Sequence, residues 1–323
     1  MTYNLDSIGL IPAIYTEIES RSECNPCYEN NKLPIWIAPM SSLIDCSNVD
    51  LFNDYGFNAI IPRTVNYDTR IEMLNKGYVV AFGLEEASKL TNLDGKRICI
   101  DQANGHMKKL MMTCKELKDK YKVWIMTGNI ANPQTYINYA KAGIDAVRIG
   151  IGAGNVCTTS LQTGIHYPMA TLISKMVSYK SLYEDQIKKW PLIIADGGFT
   201  NISQIIKALA LGADYVMIGR MAAEMEEACG KKTAHNERLY YGMSTFTAQT
   251  EINSAKLGKY SKMKHSEGAI KTVKITTNLG DFVDDFKHAL RSSMSYTNAR
   301  TLQDFVGKIE WKVMESGTLN KKV

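Results

Sequence analysis

The sequence predicts an α/β protein of the (β/α)8 (TIM) barrel class, built as a single domain. Eight short apolar runs alternate with stretches of helical periodicity, which is typical of parallel strands covered by helices. Glycine-rich turns follow the sixth, seventh and eighth runs, where such barrels commonly bind phosphate. The predicted strands are residues 35–40, 58–63, 79–83, 98–102, 123–128, 146–151, 192–197 and 215–219.

The segments between the runs carry the apolar pattern of helices that pack on a sheet. In residues 107–120 and 202–211 apolar side chains recur at helical spacing. A doubly wound open sheet is the alternative, and it would place a phosphate-binding glycine loop after the first strand. The first strand instead ends in Ala38-Pro39-Met40, which has no such loop. The barrel is therefore the better interpretation.

Three segments lie outside the repeating units. Residues 1–33 form an N-terminal lead-in, and residues 276–323 hold a last barrel helix, 282–292, followed by a tail. A long polar excursion, 230–275, follows the eighth strand. We expect residues 245–275 to form a mobile flap, because long loops in compact domains commonly serve as lids. All 323 residues are thus assigned to one domain.

Composition restricts the class of protein. The chain is 45% hydrophobic and 22% charged, with a formal charge of +5. This dispersed basic excess permits an anionic small ligand and does not favour nucleic acid. Seven cysteines at scattered spacing are typical of a reducing compartment. Since no apolar run reaches the ~18 residues of a membrane span, we expect a cytoplasmic protein without nucleic-acid or membrane partners.

Residues 144–160 carry the most informative pattern. A β-branched strand runs into glycines at every second position, Gly150, Gly152 and Gly154, and Cys157 follows. Spaced glycines let a backbone bend sharply and approach a ligand closely. A cysteine on such a loop is a candidate nucleophile, although free cysteines are usually buried small hydrophobes. Spacing alone leaves both interpretations open.

Polar residues recur after five of the predicted strands. Because the carboxyl ends of barrel strands surround one mouth, we expect these residues to meet there and form an active site. Singly, Asp101 or Asp196 could cap a helix and Gly128 could be an ordinary turn, but five coincident positions argue against capping alone. The five segments are 101–105, 127–129, the loop leading to Cys157, 196–198 and 219–220.

These motifs resemble the family of inosine-monophosphate dehydrogenases and guanosine-monophosphate reductases. Residues 150–159 are similar to the catalytic loop of that family, 193–198 to its phosphate-binding strand and 216–219 to the next strand. The resemblance extends from about residue 10 to residue 317. It implies a barrel that binds a purine nucleoside 5′-monophosphate and exchanges hydride with a nicotinamide cofactor.

Several segments are more similar to the reductase branch. They are residues 20–23, 98–105, 241–244, 266–268 and 292–296. The dehydrogenase commonly carries a regulatory module inserted in the barrel, and this chain has only a short link there. The dehydrogenase flap also has an Arg-Tyr pair that activates water, where this chain has Lys259-Tyr260.

Three positions depart from the reductase pattern. Arg63 stands where the reductase commonly has a lysine, Ala38-Pro39-Met40 looks more like the dehydrogenase, and Arg220 replaces a small residue beside the phosphate site. The alternatives are therefore a dehydrogenase, which converts inosine monophosphate to xanthosine monophosphate with NAD, and a relative acting on a modified purine nucleotide.

The resemblance implies NADPH-dependent reductive deamination of guanosine monophosphate (GMP) to inosine monophosphate (IMP). Cys157 would attack purine C2 and form a thioimidate, and Thr159 and Glu267 match the pair that protonates the departing amine. The presence of all three disfavours a non-enzymatic nucleotide-binding barrel. We expect NADPH as cofactor, with NAD as the alternative, and a homotetramer.

The resemblance also assigns the remaining site residues. Substrate contacts are expected at Met40, Asn155, Asp196, Gly197, Gly198, Gly219, Arg220, Tyr241, Gly242, Met243 and Ser244. Cofactor contacts are expected at Asp101, Ala103, Asn104, Gly128 and Asn129. A monovalent cation such as K⁺ is expected at the backbone of Gly152, Gly154 and Cys157. Asp196 would bind the ribose hydroxyls, and backbone N–H groups would hold the phosphate.

Overall fold

The structure, a computed structural model, describes residues 2–255 and 266–314. Its strands there are β1 (Ile8–Leu10), β2 (Ile35–Ile37), β3 (Ile60–Ile61), β4 (Val79–Phe82), β5 (Arg97–Asp101), β6 (Trp124–Ile130), β7 (Ala146–Ile149), β8 (Leu192–Asp196), β9 (Tyr215–Ile218), β10 (Glu237–Tyr241), β11 (Ile270–Lys274) and β12 (Trp311–Val313). Its helices there are α1 (Val49–Asp54), α2 (Tyr67–Asn75), α3 (Leu84–Ala87), α4 (Lys108–Lys120), α5 (Pro133–Lys141), α6 (Thr159–Thr163), α7 (Met169–Leu182), α8 (Ile202–Leu211), α9 (Arg220–Ala223), α10 (Phe246–Ala255), α11 (Leu279–Tyr296) and α12 (Leu302–Phe305).

Strands β2 to β9 form one parallel sheet in the order β2-β9-β8-β7-β6-β5-β4-β3. The two end strands meet, because Trp36 of β2 pairs with Asn58 just before β3 and the Ile37 N–H donates to the Asn58 carbonyl at 2.8 Å. Closure removes the exposed strand edges of an open sheet. Each of the eight predicted runs contains or overlaps one of these strands, so the predicted (β/α)8 barrel is confirmed.

The barrel strands are continuous apolar runs because both of their faces are covered. Every residue of β2, β4 and β7 is buried, as expected where a packed interior lies on one side and helices on the other. Helix α4 covers the outside with Leu110, Cys114 and Leu117. Helices α4 and α8 confirm the helices predicted over 107–120 and 202–211.

The last barrel helix, α11, is longer than the predicted span of 282–292. Its first turn is capped by Asn278, whose side chain accepts the Asp281 N–H, and Leu279 and Met294 are buried near its two ends. A cap and an apolar stripe together stabilise about a turn at each end beyond the central pattern.

The segments outside the barrel form two small antiparallel sheets. Strand β1 in the N-terminal lead-in pairs with β12 near the C-terminus, and β10 pairs with β11 within the predicted excursion. The Lys259-Tyr260 pair and the middle of the predicted flap lie outside the described residues. None of the described helices has the length and apolar character needed to cross a lipid bilayer.

Candidate active site

A cavity of about 240 Å³ opens where the barrel strands end. Residues in or just after the carboxyl ends of β2, β3, β5, β6, β7, β8 and β9 line it, together with the end of β10 and the segment that follows it. The predicted site residues that line it are Met40, Asp101, Ala103, Asn129, Gly152, Gly154, Asn155, Cys157, Thr159, Asp196, Gly197, Gly198, Gly219, Arg220, Gly242, Met243 and Ser244. The structure thus brings residues from distant parts of the chain to one mouth.

Cys157 begins a hydrogen-bonded chain of three side chains. Its Sγ lies 3.3 Å from Thr159 Oγ1, and Thr159 Oγ1 donates to Glu267 Oε2 at 2.7 Å. The hydroxyl can accept the thiol proton while donating its own to the carboxylate. A proton can therefore move along this chain between sulfur and carboxylate.

Backbone pairing holds Glu267 beside the loop that carries Cys157. The Thr158 N–H donates to the Glu267 carbonyl at 2.9 Å, and the Ala269 N–H donates to the Val156 carbonyl at 2.9 Å. These bonds make a short antiparallel bridge between residues that are more than 100 positions apart in sequence. The distal end of the excursion is thereby fixed against the loop that carries Cys157.

Arg148 is the main feature of the mouth that sequence reasoning missed. Its Nε and Nη2 donate to Asp196 Oδ2 at 3.1 and 2.8 Å, and its Nη1 donates to Asp101 Oδ1 at 2.5 Å. Burial disfavours the charged guanidinium, but Asp196 and Asp101 outweigh burial and raise the pKa of Arg148. The available signal was a charged residue inside a buried strand, which requires partners of opposite charge.

This network leaves one oxygen of Asp196 for a ligand. Asn129 Nδ2 donates to Asp196 Oδ2 at 2.6 Å, so that atom receives Asn129 as well as Arg148. Asp196 Oδ1 accepts no hydrogen bond from the described residues, and the side chain lines the cavity. The carboxylate is therefore held in one orientation with a free acceptor, as binding of a diol requires.

Glycines shape the wall between the ends of β8 and β9. Gly197 and Gly198 have φ values of 86° and 85°, a region that disfavours other residues. The Gly198 N–H has no hydrogen-bond partner among residues 2–255 and 266–314. A Cβ on Gly219 would overlap the Tyr240 hydroxyl. This corner offers a free backbone N–H and has no side chain at its glycines, so a ligand can come close to the backbone. Such an arrangement suits an anionic group.

Tyr240, rather than the predicted Tyr241, reaches the cavity. Successive strand residues face opposite sides, and Tyr240 is the buried member of the pair, at 3% exposure. The Tyr241 hydroxyl instead donates to Glu251 Oε1 at 2.7 Å, away from the mouth. Burial and Asp196 raise the pKa of Tyr240, so its hydroxyl stays protonated. Strand alternation was the signal that could have separated the two tyrosines.

Two predicted cofactor residues support the mouth without lining it. Asn104 Oδ1 accepts the His106 N–H at 3.0 Å and so stabilises its own loop. Gly128 lies in the barrel sheet beside Arg148, where a Cβ would come within 2.8 Å of the Arg148 Cβ. Gly128 is therefore required for strand packing, whatever the ligand.

Two further arginines line the cavity. Arg63 Nη1 donates to the Asp101 carbonyl at 3.2 Å, and its Nε is buried without a partner among the described residues. Arg220 is half-buried beside Gly219 and pairs with Glu224 at 3.1 Å. The cavity thus offers guanidinium groups at two separate places.

The proposed cation ligands are partly engaged within the chain. The Gly152 carbonyl accepts the Ser160 hydroxyl at 3.3 Å, and the Gly154 carbonyl accepts the Cys157 N–H at 3.0 Å. Each carbonyl keeps a second lone pair, which fits weak coordination of a monovalent ion. No cluster of three or more His, Cys, Asp or Glu side chains able to hold a metal occurs in the described parts of the chain.

Fold and site together define a (β/α)8-barrel enzyme class with a cysteine-centred site at the carboxyl ends of the strands. A family model for the IMP dehydrogenase / GMP reductase domain matches residues 75–321, and the chain belongs to that family.

Curated relatives carry both names. The GMP reductase of Buchnera aphidicola is 34% identical over 213 residues, 65% of this chain and 58% of that protein. The inosine-5′-monophosphate dehydrogenase of Aquifex aeolicus is 32% identical over 234 residues, 71% of this chain and 46% of that protein. The GMP reductase of Caenorhabditis elegans is 30% identical over 65% of this chain and 57% of that protein. The chain spans about half the length of the curated relatives it matches.

Proposed function

We propose that this chain is a GMP reductase, which converts GMP to IMP and ammonia with NADPH. The observation that carries the proposal is the chain of hydrogen bonds from Cys157 through Thr159 to Glu267. It joins a nucleophile to a proton donor for a leaving amine, which is the chemistry that deamination at C2 requires. The reductase-like segments of the sequence support the same choice.

GMP would lie across the mouth with its phosphate at the corner formed by Gly198, Gly219 and Tyr240. The Tyr240 hydroxyl and the Gly198 N–H are available as donors there, and Arg220 adds positive charge. Asp196 Oδ1 would accept from the ribose hydroxyls. This placement directs the purine toward Cys157 on the neighbouring loop.

Cys157 would add to purine C2 as the bond from C2 to the exocyclic nitrogen breaks, giving a thioimidate. The thiol proton passes through Thr159 and Glu267 to the nitrogen, which leaves as ammonia. When bound, NADPH supplies the hydride that C2 then receives. The bond from sulfur to C2 breaks, and Cys157 departs as a thiolate that regains a proton from solvent.

The cofactor would bind beside Asp101, Gln102, Ala103 and Asn129, which line the cavity next to the purine position. Arg63 supplies a guanidinium there whose Nε has no partner among the described residues. A homotetramer and a K⁺ ion at Gly152, Gly154 and Cys157 belong to the same proposal.

An IMP dehydrogenase that uses NAD is the second candidate, favoured by Ala38-Pro39-Met40 and by relatives of that name. An assay at 340 nm of GMP or IMP with NADPH or NAD separates the two. We expect absorbance loss with GMP and NADPH, matched one for one by ammonia. Formation of xanthosine monophosphate from IMP with NAD, without any IMP from GMP, would contradict the proposal.

A further inference from the structure

A second cavity of about 240 Å³ lies at the opposite end of the barrel. It opens where strands begin: Asn58 precedes β3, Val79 starts β4 and Arg97 starts β5. The lining also includes three residues with side-chain hydrogen-bond donors, Lys32, Trp36 and Lys76. This end of a barrel ordinarily serves stability, which predicts apolar packing or paired charges.

The charges at this cavity are not paired. Its lining contains Lys32, Lys76 and Arg97, and no carboxylate from the described residues. Lys76 and Arg97 make no ion pair or side-chain hydrogen bond within residues 2–255 and 266–314. Lys32 Nζ donates only to the backbone carbonyls of Asn53 and Phe57, at 2.9 and 3.2 Å.

Aromatic rings hold the Arg97 guanidinium in place. Its Cζ lies 4.7 Å from the centre of the Trp124 ring and 5.9 Å from that of Trp36. Contacts with ring faces leave the five N–H donors of the guanidinium unused. The Trp36 Nε1–H is also buried without an acceptor among the described residues. The wall is therefore rich in donors that the chain itself does not satisfy.

Burial disfavours the charged forms of the cations at this cavity. Desolvation lowers the pKa of Arg97. Desolvation also lowers the pKa of Lys32; Asp54 opposes this shift, and Arg97 adds a smaller lowering effect. A bound anion would offset this cost and accept the free donors.

We propose that this cavity binds a phosphate group, as inorganic phosphate or as the phosphoryl group of a nucleotide. A guanidinium fork beside two ammonium groups matches the oxygens and the double negative charge of phosphate better than those of a monovalent anion. The site lies at the far ends of the strands from Gly198 and Gly219. It is therefore distinct from the substrate phosphate corner.

Isothermal titration calorimetry of inorganic phosphate into the full chain without nucleotide tests the proposal, and any binding at the mouth is recognised because it is unchanged in Arg97→Gln. We expect one inorganic phosphate to bind per chain, at least about tenfold more weakly in Arg97→Gln and more weakly in Lys76→Gln. Lys115→Gln, which removes an exposed lysine on α4, is the matched control and should match the wild type. Lys76 is exposed just after α2, so Lys76→Gln should fold normally. It therefore still tests phosphate binding if Arg97→Gln folds poorly.

A parallel titration with ATP separates the two sources of phosphate. Binding more than about tenfold tighter than phosphate, and weakened by Arg97→Gln, would identify a nucleotide. Equal or weaker binding would identify the free ion. Absence of phosphate binding, or equal affinity in wild type, Arg97→Gln and Lys76→Gln, would overturn the proposal. Since Arg97 is remote from the mouth, the difference in phosphate affinity between wild type and Arg97→Gln does not depend on which reaction the mouth catalyses.

Discussion

The two ends of the barrel treat charge in opposite ways. At the mouth, Arg148 is enclosed by Asp101 and Asp196, at 2.5 and 2.8 Å. At the other end, Arg97 lies on tryptophan rings, and Lys76 beside it has no carboxylate partner within the described residues. Paired charges hold carboxylates in fixed orientations, whereas unpaired charges keep their donors for a ligand. One fold thus holds a cavity with paired charges at one end and a cavity with unpaired charges at the other.

Two cysteines differ in reactivity because of where they lie in the barrel. Cys99 lies on β5 inside the barrel, where burial raises the pKa of its thiol to about 12. Cys157 lies on the glycine loop, half-buried and hydrogen-bonded to Thr159. The interior thiol stays protonated and inert, and only the loop thiol can meet a substrate.

The largest expected effect is loss of turnover in Cys157→Ala. With the nucleophile gone, activity should fall by at least about 10³-fold, while GMP affinity stays within about tenfold because the proposed contacts are Asp196 and the corner formed by Gly198, Gly219 and Tyr240. Steady-state assays and calorimetry measure the two quantities. Cys46→Ala, a half-buried cysteine outside the mouth, should keep full activity. A Cys157→Ala enzyme with a tenth of normal activity would disprove covalent catalysis.

Replacing Arg148 at the mouth and Arg97 at the opposite end by methionine tests whether the two ends of the barrel differ in charge pairing. Arg148→Met leaves Asp196 without a cationic partner among the described residues and Asp101 with only the longer ion pair to Arg63 at 3.9 Å, so the free energy of unfolding should fall by about 3–5 kcal/mol. Arg97→Met loses only cation–π contacts and should cost less than about 1 kcal/mol. Urea denaturation of both variants provides the comparison. Equal losses would show that the two ends do not differ in this way.

Glu267→Gln tests the proton path at the mouth. Deamination should slow by about 10²-fold, the usual scale for loss of a positioned acid or base, with little change in KM for GMP. Glu251→Gln is the matched control, because Glu251 accepts two hydroxyl hydrogen bonds away from the cavity. Similar rates for both variants would remove Glu267 from the mechanism.

The smallest effect concerns His106, whose Nε2 accepts the Ala131 N–H at 3.0 Å. Burial lowers the pKa of His106, so the unfolded chain takes up a proton at higher pH than the folded one. Stability should be full above the ordinary histidine pKa of about 6.5 and decline as pH falls below it. Thermal unfolding from pH 7.5 to 5.0 should show a shallower decline in His106→Gln than in wild type. His235→Gln, in an exposed turn, should show the same decline as the wild type. If His106→Gln declined as steeply as the wild type, His106 would not be the source of the pH dependence.

Local pattern was enough to predict the barrel and the centre of its mouth. Each strand is a short apolar run that can be recognised from its own residues. The three alternating glycines before Cys157 identify a loop at a strand end. The mouth follows from parallel connectivity, since all the strands then end on one side. Helix ends were predicted less well, because caps such as Asn278 act outside the apolar pattern.

Contacts between distant residues were decided only by the tertiary structure. Arg148, Asp101 and Asp196 lie on three strands, and their pairing depends on the register in which the barrel closes. The inward turn of Tyr240 in place of Tyr241 depends on how β10 pairs with β11. The second cavity depends on Arg97, Lys32 and Lys76 meeting at the end of the barrel where the strands begin. Sequence patterns report which face a residue prefers, whereas its partners are set by packing between elements that are remote in the chain.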